Sequence, residues 1–451
     1  MHARTGLLAA VALPWVVSAA LAQTAPAADD RMDQFEKRLN ELDQKYQSEL
    51  KKRDEEIARL KGNLNQRSAA TTRDAVDQTK QDVLADIDAR TAGPFTMRTP
   101  ASFNPSIGVV SNFSGNISTL NKNPARNRFD IGSVELDLRA PIAPIADGVV
   151  ILPIAREVES DLFFTDAEDG GGGIDEGIEI EEAYVFLHDF GVNNLTAKLG
   201  RFHLRFGRQN ILHEHNWPTT DNNFVNKSFL GEEALTDSGL SLSYVIPPDW
   251  VGGQYVELVG EVVTGEGGGE TTPVLNNDAS VDSPAVNLHA LWNTNLNDDW
   301  NFELGGSFLA GKHDNSGSQD AFLYGLDATL VRTDPTGGFA NSMLMFEGIY
   351  GNVDTDDGQT QHAKGFYVLG QQQLNRDWYV GIRGDWTQNA VDDSQEVWAI
   401  SPYVTWYYFE FLRFRMQYQH KDGDVASEDT LYFQCTFTFG AHPPHPYWAM
   451  K

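Results

Sequence analysis

Past its N-terminal segment the chain lacks any run of 18 consecutive apolar residues. That excludes crossing a membrane by helices, so a membrane-spanning form requires a closed barrel of strands. The mean hydropathy of -0.38 agrees. There is one cysteine, Cys435, so no intrachain disulfide can brace an exported form, and hydrogen-bonded architecture must do so. Gly-x-Ser-x-Gly, Walker and His-Glu-x-x-His motifs are all absent, so nothing marks an enzyme and no cofactor is expected. A residual enzymatic possibility is a protease or phospholipase whose catalytic residues lie far apart in sequence. Basic residues are few: 34 Lys and Arg stand against 64 Asp and Glu, a net charge of -30. Residues 1–94 hold 14 of the basic and 15 of the acidic residues, leaving 20 and 49 for Phe95 onward. Such a field repels nucleic acid and concentrates cations.

What is present begins with Met1-His2-Ala3-Arg4, an apolar stretch from Leu7 to Leu21 containing Pro14, and the small-residue exit Ala20-Leu21-Ala22. This is signal-peptide order, with cleavage expected after Ala22 (residues 1–22). A membrane anchor would need a longer run. Over 23–92 a helical segment is expected. Phe35, Leu39, Leu42, Tyr46, Leu50, Ile57, Leu60 and Leu64 follow steps of three and four as in a coiled-coil seam, with Arg53 in one slot and a stutter around Tyr46. A lone amphipathic helix satisfies the same spacing. A second helical run, Arg73 to Arg90, leads to the breaker Gly93-Pro94.

After Pro94 the period becomes two. Phe202, Leu204 and Phe206 alternate with Arg201, His203 and Arg205, and Phe414, Met416 and Tyr418 with Arg413, Arg415, Gln417 and Gln419. About 16 such segments are expected between 95 and 440, starting near 106, 129, 148, 178, 195, 239, 254, 285, 301, 321, 342, 364, 378, 396, 411 and 430. Short turns such as Leu374 to Asp377 contrast with long polar loops at 166–177, 265–283, 312–319 and 351–361. The expected fold is therefore an all-β transmembrane antiparallel barrel preceded by an α-helical coiled coil. A soluble sandwich or propeller also alternates. Aromatic residues near strand ends (Trp300, Trp378, Trp386, Trp398, Trp406, Tyr407, Tyr408, Tyr418, Tyr432) favour a membrane girdle instead.

The stretch Gly200-Arg201-Phe202 through Phe206-Gly207-Arg208-Gln209-Asn210, then Leu212-His213-Glu214-His215 and Phe229-Leu230-Gly231-Glu232-Glu233, resembles the central block of a divergent branch of the phosphate-selective porin superfamily. Asn104 to Val110 and the ending Phe439 to His445 fit the same branch. The resemblance covers most of residues 95–451 and implies an outer-membrane barrel that assembles as a homotrimer. It does not imply phosphate, because the lysine ladder of the type members is missing. Another departure is a tail, residues 441–451, after the last strand's Phe439.

The residues expected to line a lumen are Arg201, His203, Arg205, Arg413 and Arg415 against Glu135, Asp137, Glu179, Glu181 and Asp385. Opposed rows would create a transverse field across an eyelet; the same residues could instead pair and hold the wall. His213, His215, His442 and His445, with Glu214, offer imidazoles that could bind zinc or copper, or serve as ordinary turn histidines. The acidic loops match calcium loops in composition only; divalent ions could bridge them to lipopolysaccharide. The expected function is passive diffusion of small hydrophilic solutes, with cation preference, through the outer membrane. The helical arm would lie in the periplasm, near peptidoglycan. A plugged barrel serving as an envelope tether and a metal-uptake barrel are the alternatives.

Overall fold

The computed structural model describes residues 105–120, 126–158, 164, 174–188, 191–266, 274–275, 282–336, 338–355 and 358–440. The expected signal peptide, coiled-coil segment and C-terminal tail, with His442 and His445, lie outside the described residues.

The strands are β1 Ser106–Ser118, β2 Arg128–Ala143, β3 Ala146–Val158, β4 in two pieces (Ile174–Ile178 and Glu182–His188), β5 Leu195–His203, β6 Thr236–Val245, β7 Tyr255–Val263 and β8 Ala285–Asn295. They continue as β9 Trp300–Lys312, β10 Asp320–Arg332, β11 Ser342–Asp354, β12 in two pieces (Thr360–Gln361 and Lys364–Gln373), β13 Trp378–Asn389, β14 Asp392–Phe409, β15 Leu412–Gly423 and β16 Glu428–Gly440. Each pairs antiparallel with its chain neighbours in one sheet. β1 pairs with β16 from Gly108↔Gly440 to Ser118↔Thr430, which closes a 16-strand barrel and leaves no free edge. No helix among the described residues is long and apolar enough to cross a membrane.

The two faces sort as the alternation requires. On β15, Arg413, Arg415, Gln417 and Gln419 are buried inside, while Phe414, Met416 and Tyr418 are exposed outside. Ile107, Leu288, Leu344, Ile382 and Ile400 continue the exposed apolar wall. Exposed leucine and isoleucine at this density suit hydrocarbon rather than water. Aromatic side chains gather at both ends of the strands. Trp378 stacks on Trp406 at 5.4 Å near the short turns, and Phe366 meets Trp386 at 5.9 Å toward the long loops. Tyr407 and Tyr432 depart from the expected girdle: they share strand faces with the buried residues Thr405 and Gln434, so they face inward.

Two expectations about the chain's course are corrected. The loop expected at 351–361 starts later, because β11 keeps its ladder with β10 through Val353↔Ala321. The alternation over Arg201 to Phe206 does not form one two-faced strand. β5 ends at His203, and Phe202, Leu204 and Phe206, each 0% exposed, lie in an interior apolar cluster.

Candidate functional site

Residues 204–235, the third of the long loops, fold into the barrel. Their two ends are pinched together at a neck. Leu204 donates its N–H to the Leu235 carbonyl, the Asn210 amide nitrogen donates to the Leu204 and Leu235 carbonyls, and Leu235 N–H donates to Asn210 Oδ1 at 2.7 Å. One asparagine thus satisfies three backbone groups that entering the lumen would orphan. Leu212, Trp217, Val225, Phe229 and Leu230 pack with Leu309, Leu323, Met345, Ile349 and Leu369 of the inner wall. The infolded segment carries a short helix, α1, Phe224–Leu230. Asn223 caps it by accepting from Asn226 N–H, and Asp385 on β13 accepts from Phe224 N–H at 3.1 Å.

The segment touches walls on both sides of the ring of strands. Toward β9, β11 and β12, Gly207 takes φ +63°, its N–H donates to Ser307 on β9, and the Arg208 and Gln209 N–H groups donate to Glu347 on β11. Tyr367 O–H donates to Glu347 at 3.1 Å. Toward β14 and β15, Arg415 donates to the Trp217 carbonyl at 2.9 Å and the Thr219 carbonyl at 2.5 Å. Arg383 on β13 bridges Asp385 at 2.7 Å and Asp221 at 2.9 Å and also donates to Thr219 Oγ1. Gln417 and Gln419 donate to the same Asp221 carboxylate. Burial would raise Asp221, but the Arg383 guanidinium outweighs it and holds the carboxyl below its usual range.

Toward β2 and β4 lies a histidine–carboxylate cluster. His213 has Nδ1 3.0 Å from Glu181 Oε1 and Nε2 3.2 Å from Glu182 Oε2. His215 Nδ1 is 3.0 Å from Glu135 Oε2. Glu214 accepts from Ser133 Oγ at 2.8 Å. His203 Nε2 lies 3.0 Å from Glu181 Oε1, and its ring stands 4.7 Å from that of His213. Burial alone would lower His213; the Glu181 and Glu135 carboxylates outweigh it and hold the ring well above the ordinary histidine range. With a carboxylate oxygen facing each nitrogen, the cluster favours the charged form of the His213 ring. Two successive glutamates can reach it because β4 carries a bulge. The register runs Ile154↔Ile178 and then Ile151↔Glu182, so three residues of β4 face two of β3.

Of the residues expected to line a lumen, Glu135, Glu181 and His203 come together in this cluster. Arg415 and Asp385 hold the infolded backbone. Arg413 is buried and donates to Thr436 at 2.9 Å, and Asp137 pairs with Arg139. Arg205 joins the infold through its backbone, its N–H donating to Glu261 and its carbonyl accepting from Asn287. Arg201 is half-buried and enters none of these contacts, and Glu179, in the bulge, is exposed. His213 and His215 share Glu135, at 3.8 and 3.0 Å, while Glu181 and Glu182 meet His213. Glu182, Arg383, Asp221 and Glu347 were not anticipated. Arg383 could have been found, because it shares strand parity with Asp385. Glu182 could not, because the bulge breaks the parity that would have placed it.

No protein-family model matches the chain. A relative from Aquifex aeolicus (strain VF5), described as an uncharacterized protein, is 26% identical over 363 residues, covering 71% of this chain and 70% of its own. Among solved structures, the outer membrane channel DcaP of Acinetobacter baumannii is similar at TM-score 0.48 and 10% identity, over 76% of this chain and 99% of its own. The high-pH structure of Pseudomonas putida OprB is similar at TM-score 0.50 and 12% identity, over 75% of this chain and 94% of its own. The likeness to OprB is one of fold, that of a porin-type outer-membrane barrel.

Proposed function

We propose that the protein is an outer-membrane channel for passive diffusion of small hydrophilic solutes or ions, with no chemical step. The observation that carries this reading is a closed 16-strand barrel with an apolar outer wall and a long loop held inside it by polar clamps. Residues 204–235 would act as the constriction. They reach β2 and β4 on one side and β11 and β12 nearly opposite, so a solute would have to pass beside them and be limited by size. The net charge of -30 supports cation preference, with loop carboxylates outside the passage weakened by screening over about 8 to 10 Å. Homotrimeric assembly, outer-membrane location, contacts of the loops with lipopolysaccharide and a periplasmic arm toward peptidoglycan belong to the same reading. They rest on the resemblance of the sequence and on the porin-type fold.

Single-channel recording of the refolded chain in a planar bilayer, with reversal potential in a KCl gradient, tests it. Stepwise openings in threes with cation preference support the reading. Anion preference would overturn the charge assignment and turn attention to Arg205 and Arg208. The many-sided clamping of the infold favours one alternative, a plugged barrel that tethers the envelope. Absence of current from correctly folded protein would establish that alternative over the channel.

A further inference from the structure

Glu181, His203 and His213 each present a donor atom, and the three atoms lie within 4.8 Å of one another. They come from three separate places in the chain: the β4 bulge, the last residue of β5 and the infolded segment. We propose that these three residues form a binding site for a borderline divalent transition metal of the zinc class, which ties the infolded segment to the barrel wall.

The geometry suits such an ion. Bonds of about 2.0 to 2.2 Å to imidazole nitrogen and carboxylate oxygen place tetrahedral donors about 3.4 Å apart. Here Glu181 Oε1 already lies 3.0 Å from His203 Nε2 and 3.0 Å from His213 Nδ1, and the two imidazole donors, within 4.8 Å of each other, close on the ion by rotation of their rings. Two imidazoles and one carboxylate leave a fourth position for water or a solute and select against calcium and magnesium, which take oxygen donors. His203 supplies an independent sign. Its ring is 3% exposed, neither nitrogen has a hydrogen-bond partner, and its 3.0 Å approach to Glu181 lacks hydrogen-bond alignment. A buried imidazole whose contact with a carboxylate lacks hydrogen-bond alignment is costly to keep, and ligation of a metal through Nε2 would satisfy that nitrogen. The outer support is present too: Glu182 Oε2 meets His213 Nε2, the carboxylate–histidine relay that fixes a ligand's tautomer when its other nitrogen binds metal. His215 is not a ligand in this arrangement, being engaged with Glu135.

The test uses the full chain, refolded and stripped of metal by chelator, titrated with zinc chloride in excess magnesium. Calorimetry and elemental analysis after gel filtration give the stoichiometry. The expected result is one zinc per chain. Affinity should fall at least tenfold in Glu181→Gln and in His203→Gln, and about 10- to 100-fold in Glu182→Gln, which leaves the three ligands intact. His362→Ala, on the exposed side of the barrel, and His442→Ala with His445→Ala in the tail should bind as the parent does. Circular dichroism confirms that each variant is folded, and X-ray absorption should report two imidazole ligands. No zinc uptake by the folded parent, or equal uptake by Glu181→Gln and the parent, overturns the site. Uptake is read without any current, so this result and the channel recording stand or fall separately.

Discussion

Arg383 on β13 and Asp221, midway along the infolded segment, form an ion pair at 2.9 Å whose side chains are 0% and 14% exposed. Arg383 also holds Asp385 at 2.7 Å, so one guanidinium pairs with a wall carboxylate and a loop carboxylate at once. Burying two carboxylates around one arginine is tolerable only while that arginine remains. Replacing it with a neutral residue of similar length, Arg383→Met, should cost about 3 to 5 kcal/mol of unfolding free energy, measured by denaturant titration in detergent. The same variant should raise single-channel conductance as the segment loosens. A cost below about 0.5 kcal/mol, within the range of an ordinary surface change, would mean the pair does not hold the infold.

The same pair sets a pH dependence. Asp221 is held below its ordinary value of 3.8, so the folded state favours its ionised form. A depressed carboxyl contributes stability that is fully present above its unfolded pKa and is lost as pH falls through the folded one. Conductance should therefore be steady from neutral pH down to about 4 and become noisier below it. Asp221→Asn should remove that acid step and be less stable than the parent at pH 7. An acid transition unchanged in Asp221→Asn would assign it to other carboxylates.

Much of this fold was legible because a barrel strand reports itself locally. The alternation of Arg413, Arg415 and Gln417 with Phe414 and Met416 is set by a two-residue period that needs no knowledge of distant contacts. The expected strand starts agree with the observed ones to within a few residues, and His213 and Glu181 were both singled out. What escaped was the infold. In Phe202 to Phe206 the alternation is the same whether Phe206 faces lipid or an interior cluster, because both are apolar surroundings. Only the long-range contacts with Leu323 and Ile349 distinguish them. Glu347 illustrates the other limit: its role depends on the N–H groups of Arg208 and Gln209, about 140 residues earlier in the chain.

Apolar anchoring of the infold can be tested apart from its charges. Phe229, 0% exposed, packs in the cluster with Leu323 and stands where a Cβ on Gly351 would come within 2.8 Å of its ring. Phe229→Ala opens a cavity there and should cost about 3 to 5 kcal/mol. Leu344→Ala, exposed on the outer face of the neighbouring part of β11, leaves no enclosed cavity and should cost much less. Equal losses in denaturant titration would mean that residues 204–235 are not packed against the wall.

Gly207 and Glu347 give the sharpest test of the infold's path. Gly207 takes φ +63°, where a side chain is strained, and a Cβ placed on it would collide with Glu347 Oε1. Gly207→Ala therefore carries two penalties, one for the backbone conformation and one for collision with a carboxylate already occupied by Arg208 N–H, Gln209 N–H and Tyr367 O–H. The backbone penalty alone is about 1 to 2 kcal/mol. Glu347→Ala removes the obstacle while also removing those acceptors. If the collision is real, the double variant should be less destabilised than the two single changes summed, with a coupling of about 0.5 to 3 kcal/mol. A double-mutant cycle read from denaturant midpoints gives this coupling directly. Strict additivity would mean that the Gly207 turn does not press on β11, and that the segment enters the barrel along another course.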